Sequence, residues 1–141
     1  MLYFDASALA KRYVSEAETV AVRRLLARGV PATSRLSEVE VVSALARRCR
    51  EGVVSSNERN RVLAQLREDI ASMYVVELSA DITAAATALL LRHPLRASDA
   101  IQLASCLHLT GQIRTPAELV VYDLPLATAA RSEGVNVLSP R

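Results

Sequence analysis

The chain has 141 residues, 51% of them hydrophobic and 23% charged, with four glycines and two cysteines. That describes one globular domain, 1–141, able to bury a continuous core without disulfide or metal staples, and it excludes a disordered or low-complexity polymer. A net charge of +2 makes no case for a strong nucleic-acid-binding field. Sixteen of the seventeen basic residues are arginine, with Lys11 the exception. The planar guanidinium suits phosphate oxygens, although arginine-rich codon usage explains the same bias. The most apolar stretch, residues 84–91, is far too short to cross a bilayer, so no membrane association is expected. Cys49 and Cys106 sit in separate helical patterns without metal-ligand spacing, as expected of reduced thiols in a cytoplasmic protein. Because a strand starts at once, no signal peptide is expected.

Leu2-Tyr3-Phe4 reads as a short β-strand that stops at Asp5, and the alanines, leucines and Ser7 beyond it as the first turns of a helix. Ser15-Glu16-Ala17-Glu18 has the form of a capping box; it predicts a helix over 17–28 with Val20, Leu25 and Leu26 inward, ended by Gly29. Residues 30–33 form a second strand, with Pro31 tolerated at its start. A long helix follows over 36–51, terminated by Gly52. Ser55-Ser56-Asn57-Glu58 offers another capping box, for a helix to residue 72. Residues 74–78 are β-branched and aromatic, a third strand. Ser79 caps a helix running to Arg92, stopped by His93-Pro94. Ser98-Asp99 opens a helix to residue 110, apolar around most of its circumference and hence buried, with Gly111 closing it. A fourth strand over 119–122 ends at Asp123, a helix spans 125–132, and residues 135–138 make a final edge strand. Strands alternating with helices imply right-handed crossovers and a mostly parallel sheet covered on both faces.

The first and fourth strands share one grammar: apolar run, aspartate, helix. In a parallel sheet this brings Asp5 and Asp123 out along the same edge, where open α/β sheets hold ligands. Asp99 stands at the start of the buried helix. Each aspartate has a simpler reading as a helix cap or a charge favoured by the helix N-terminus. Glu40 is a fourth candidate, but Ser37-Glu38-Val39-Glu40 is itself a capping box if the helix begins at Ser37. Glu38 competes with it, because phasing puts Glu38 nearer an apolar stripe of Val39, Val42, Leu45 and Ala46. Periodicity does not choose between the two glutamates.

The segments LYFDASALAKRY, SRLSEVEVVSALARR, LRASDAIQLASCL and LVVYDLPLATAA resemble, in order and spacing, the acidic blocks of PIN-domain proteins, and most closely those of bacterial VapC-type toxins. The likeness spans residues 2–138. It places an acidic quartet at Asp5, Glu40, Asp99 and Asp123, with Ser7 and Ser98 as polar neighbours. Asp123 departs from the pattern: members often carry threonine or serine two residues earlier, where this chain has Val121, and a basic residue just after, where it has Leu124-Pro125. The resemblance implies a three-layer α/β/α sandwich with a four- to five-stranded sheet. It further implies a Mg²⁺- or Mn²⁺-dependent endoribonuclease, the four acids holding the ion, leaving 5′-phosphate and 3′-hydroxyl ends. Such a protein would be a toxin with a VapB-type antitoxin as partner, RNA as substrate, and a homodimeric assembly. Independently, carboxylates suit hard divalent cations, and the lack of paired histidine or cysteine ligands argues against zinc.

Ser7 is expected either to hydrogen-bond a ligand carboxylate or to cap its own helix, and Ser98 to be a cap. Arg96 is placed for a phosphate or for solvent, and Arg47 for RNA or an ion pair with Glu40. His108 is expected in the core, His93 on a surface loop, and the aromatics are too scattered for an obvious base-stacking platform. Apolar stripes on the helices at 17–28, 36–51 and 55–72 suggest a partner surface. Two other readings compete: a catalytically silent PIN-like interaction module, and a haloacid-dehalogenase-like phosphatase, which would need an aspartate where this chain has Ser7.

Overall fold

Period-two alternation in strands of three residues builds the two faces of the sheet. Tyr3 packs into one core cluster and Phe4, its neighbour, into the other; Leu119 and Val120 divide in the same way. The computed structural model describes residues 1–14 and 16–140. Its strands are β1 (Leu2–Phe4), β2 (Ala32–Ser34), β3 (Tyr74–Val76), β4 (Glu118–Val120) and β5 (Asn136–Leu138), all parallel, in the order β3-β2-β1-β4-β5. Tyr3 sits in register with Ala32 on one side and Leu119 on the other.

The helices are α1 (Ala6–Tyr13), α2 (Thr19–Leu26), α3 (Arg35–Arg50), α4 (Ser56–Ser72), α5 (Ala80–Arg92), α6 (Ala97–Ile113) and α7 (Leu124–Ser132). From β1 the chain walks outward to β2 and β3 with α1 to α4 on one face, where Leu9, Val22, Val41 and Leu66 surround Phe4. It then crosses to β4, on the far side of β1, and on to β5, with α5 to α7 on the other face around Tyr3 and Leu119. Reversing direction while keeping one crossover hand places the two helix sets on opposite faces. The expected three-layer α/β/α sandwich, with a five-stranded parallel sheet, is the observed fold. The reversal falls between β1 and β4, where the strands' carboxyl ends open a crevice. No described helix is long and apolar enough to cross a membrane.

Several boundaries differ from expectation, each for a local reason. The expected cap Ser15 lies outside the described residues; α2 begins at Thr19, turns Val22 and Leu25 inward, and leaves Val20 exposed. The second strand starts at Ala32, and Pro31 contributes only its carbonyl, which accepts from the Tyr74 N–H. Ser34, not Ser37, caps α3, accepting from the Leu36 N–H at 3.1 Å. Ser37, Val41 and Leu45 then form the buried face at four-residue spacing, and Val39 is 66% exposed, so the apolar stripe expected around Val39 is wrong. Arg96 occupies the N-cap position of α6, which corrects the capping role expected of Ser98. Gly111 does not end that helix. It continues until Ile113 packs on the core, and Arg114, in a left-handed conformation (φ 54°), closes it. The caps expected at Ser55 and Ser79 are observed.

A buried polar chain crosses the core beneath the crevice. The Tyr3 hydroxyl donates to Gln102 Oε1 at 2.7 Å, and Gln102 Nε2 donates to Ser37 Oγ at 2.9 Å. Thr33 Oγ1 donates its single proton to the Phe4 carbonyl at 2.7 Å, so the Ser37 hydroxyl, also 2.7 Å away, donates to Thr33. Each of these groups is buried and would be costly to leave unpaired. The chain therefore locks the rotational phase of α3 through Ser37 and of α6 through Gln102. Glu40 lies three residues after Ser37 and Asp99 three before Gln102, so the same lock decides where those two acids point.

Candidate active site

The carboxyl ends of β1 and β4 and the N-terminal turns of the helices nearby enclose a cleft of ≈ 310 Å³. Asp5, Glu40, Asp99 and Asp123 all line it, together with Ser7 and Arg96. Concavities of ≈ 370 and ≈ 450 Å³ lie around the opposite end of β1, near Gly29-Val30-Pro31, without any such set of acids.

Asp5 is 3% exposed and follows β1 directly. Its Oδ1 accepts from the Ala8 N–H at 2.9 Å, so it is the cap of α1 as well as a wall of the cleft. The Ser7 hydroxyl is 2.7 and 2.9 Å from the two carboxylate oxygens of Asp5 and accepts from the Tyr122 N–H at 3.1 Å. Ser7 thus ties Asp5 to the chain leaving β4, across the point where strand order reverses. Asp123 caps α7, its Oδ1 accepting from the Leu126 N–H at 3.1 Å. Asp99 stands in the first turn of α6, 6% exposed. Glu40, in the second turn of α3, has its Oε1 buried without a hydrogen-bond partner. Glu38 instead pairs with Arg35 at 3.5 Å, away from the cleft.

Burial dominates the electrostatics of Asp5 and Glu40. It raises Asp5 to about 7; the Ala8 N–H and Ser7 pull against it, and the Glu40 charge adds to the rise. Burial also pushes Glu40 above its ordinary value, with Gln102 opposing and the Asp99 charge reinforcing. Arg96 answers part of the negative charge: its Nε is 3.1 Å from Asp99 Oδ2 and its Nη2 3.3 Å from Asp123 Oδ2. Arg47 lines the cleft too, but makes no ion pair with Glu40 among the described residues.

As the side chains stand, no three His, Cys, Asp or Glu groups among the described residues are close enough to hold one metal ion. In kind, however, the donors fit a hard divalent cation: all are carboxylate oxygens, and the orphaned Glu40 Oε1 lacks what a cation supplies. Asp5, Glu40 and Asp99 are the residues that could hold such an ion, with Asp123 at its edge.

The residue-by-residue expectations divide here. Ser7 bonds a carboxylate of the quartet, and Arg96 bridges two of its members instead of lying free. His108 is half-buried beside a surface groove with Tyr74 and Gln112, not in the core. Two positioning residues were not foreseen. Gln102 is a lone amide in an apolar helix and Ser37 a hydroxyl just ahead of two candidate glutamates, and each carried a polar signal at a buried position.

An α/β protein with acids collected at the carboxyl edge of a 3-2-1-4-5 parallel sheet is the class that fold and site define. The PIN domain family model matches residues 2–115, and the chain belongs to that family. This removes the phosphatase reading. No curated protein matches the chain. Among solved structures, the chain is similar in fold to Mycobacterium tuberculosis VapC20, a sarcin–ricin loop cleaving toxin (21% identity, 92% of this chain and 95% of that one, TM-score 0.68). It is likewise similar to FitAcB from Neisseria gonorrhoeae (13%, 99% and 97%, TM-score 0.69). A third is the VapBC2 complex of Rickettsia felis bound to a promoter DNA fragment (13%, 98% and 98%, TM-score 0.64).

The raised pKa of Asp5 has a measurable sign. With its folded value near 7 against an ordinary 3.8, the native chain holds a proton that the unfolded chain has released. In chelator, stability from this group is fully present below pH 3.8 and is lost as pH rises through 7. Asp5→Asn, which keeps the cap, should flatten that window and be the more stable protein at pH 8, by at most about 4 kcal/mol. Denaturant midpoints from pH 4 to 8 check it; an unchanged pH profile in the variant would contradict it.

Proposed function

We propose that the chain is a metal-dependent endoribonuclease that acts as the toxin of a toxin–antitoxin pair. The observation that carries this reading is the meeting of Asp5, Glu40, Asp99 and Asp123 in one cleft at the carboxyl edge of the sheet. Membership of the PIN domain family and a fold shared with toxins of that kind support it. Asp5, Glu40 and Asp99 would hold a Mg²⁺ or Mn²⁺ ion, directly or through water, and Asp123 would complete the set. A bound ion would activate water and offset charge on the phosphate in the transition state. The protein's own share is positional. Ser7 holds the Asp5 carboxylate, Gln102 and Ser37 fix the directions of Asp99 and Glu40, and Arg47 offers a guanidinium at the cleft for a backbone phosphate. Hydrolysis by in-line attack would leave 5′-phosphate and 3′-hydroxyl ends.

A silent interaction module is favoured by one feature, the Arg96 bridge that fills the gap between Asp99 and Asp123. Cleavage of RNA by purified protein with Mg²⁺ or Mn²⁺, abolished by chelator, decides between the two. Asp5→Asn, Glu40→Gln and Asp99→Asn should each lower the rate about 10²-fold or more while remaining folded. Equal cleavage by all of them would point to a contaminating nuclease and sink the enzyme reading.

The partners follow the same reading: a VapB-type antitoxin and a second copy of the chain, in the cytoplasm. Val20 and Val39 are exposed on α2 and α3, whereas no large apolar residue of α4 is among the exposed ones described, which trims the expected stripe to two helices. Light scattering should give a two-chain mass, and the product of the neighbouring reading frame should raise the melting temperature. A monomer that this product does not stabilise would count against the assembly.

A further inference from the structure

Arg96 stands where local rules would not put it. Of the four helices that bring acids to the cleft, three start with a capping side chain: Asp5 for α1, Ser34 for α3 and Asp123 for α7. The fourth, α6, starts with Arg96, which makes no side-chain cap bond. A cation there also opposes the positive end of the helix dipole. Its guanidinium turns instead into the cleft, meeting Asp99 at 3.1 Å and Asp123 at 3.3 Å from two different nitrogens. Charge alone does not require this, because Arg47 lines the same cleft and pairs with neither acid.

We infer that Arg96 is an internal stand-in cation: it holds Asp99 and Asp123 together in the metal-free chain and is exchanged for the divalent ion when one binds. This rests on the metal-dependent reading above and adds to it a competitor built into the protein. The energetics suit exchange. The Arg96 side chain is 75% exposed, and an ion pair that open to water is weak and readily broken. Asp99 is almost wholly buried, so its charge gains more from a bound ion than from a solvated guanidinium. On release, the arginine is left at the mouth of the cleft, and the acids it spanned are free to turn toward Glu40 Oε1, which has no partner while Arg96 is in place.

The test uses Mn²⁺ and Arg96→Gln, an exposed substitution at a position without a capping bond. Electron paramagnetic resonance titration of free Mn²⁺ should show the variant binding about two- to five-fold more tightly than the natural chain, the range expected for a displaced exposed pair. Melting temperatures should add an opposite sign: in chelator Arg96→Gln melts below the natural chain, because the acids lose their counter-ion, and saturating Mn²⁺ closes the gap. Equal or weaker Mn²⁺ binding by the variant overturns the exchange while leaving the metal reading intact. A melting deficit unchanged by Mn²⁺ also overturns it, since it marks a merely structural contact. No Mn²⁺ bound by either protein removes the metal reading and this inference together.

Discussion

Like charge gathered at one edge of a parallel sheet is the constraint on which the rest of this structure depends. Four carboxylates share a cleft, and two of them are pushed toward their protonated forms mainly by burial. Three of the four have a local remedy. Asp5 and Asp123 cap α1 and α7, and Asp99 stands in the first turn of α6, so each faces the partial positive charge of a helix N-terminus. Glu40, deeper in α3, has no such remedy and keeps an unpartnered buried oxygen. Capping and site chemistry are therefore not rivals here. The caps are how the fold tolerates the charge that the site needs.

Holding that charge in place falls to the core. Tyr3, Gln102, Ser37 and Thr33 form a hydrogen-bonded path from the sheet to the two helices that carry Asp99 and Glu40. Buried polar groups of this kind add specificity more than net stability, because the alternatives leave them unpaired. Ser7 performs the matching task on the other side, joining the Asp5 carboxylate to the Tyr122 N–H. Both devices act on direction, and direction decides whether acids from distant parts of the chain can share one ligand.

The layers and the strand sequence were legible because strand and helix patterns alternate cleanly and caps such as Ser55 and Ser79 obey local chemistry. Boundaries failed where tertiary packing outweighs a local signal. Gly111 reads as a stop, yet α6 runs on to seat Ile113. Ser37 reads as a cap, yet Ser34 takes that role and frees Ser37 for the core. Glu40 could not be separated from Glu38 by phasing, since the stripe expected at Val39 faces outward and the buried face includes a serine. It was the family resemblance, not the pattern of residues, that singled out Glu40. The Arg96 bridge was beyond any local rule, because it joins residues 27 positions apart through a side chain whose own helix disfavours it.

A crystal structure of the chain with Mn²⁺ tests the central claim most directly, through the anomalous signal of the ion. The account predicts a peak within the cleft, with oxygens of Asp5, Glu40 and Asp99 around it, directly or through water. A Glu40 Oε1 still unpartnered beside an empty cleft at saturating Mn²⁺, or an ion bound only elsewhere, would contradict it.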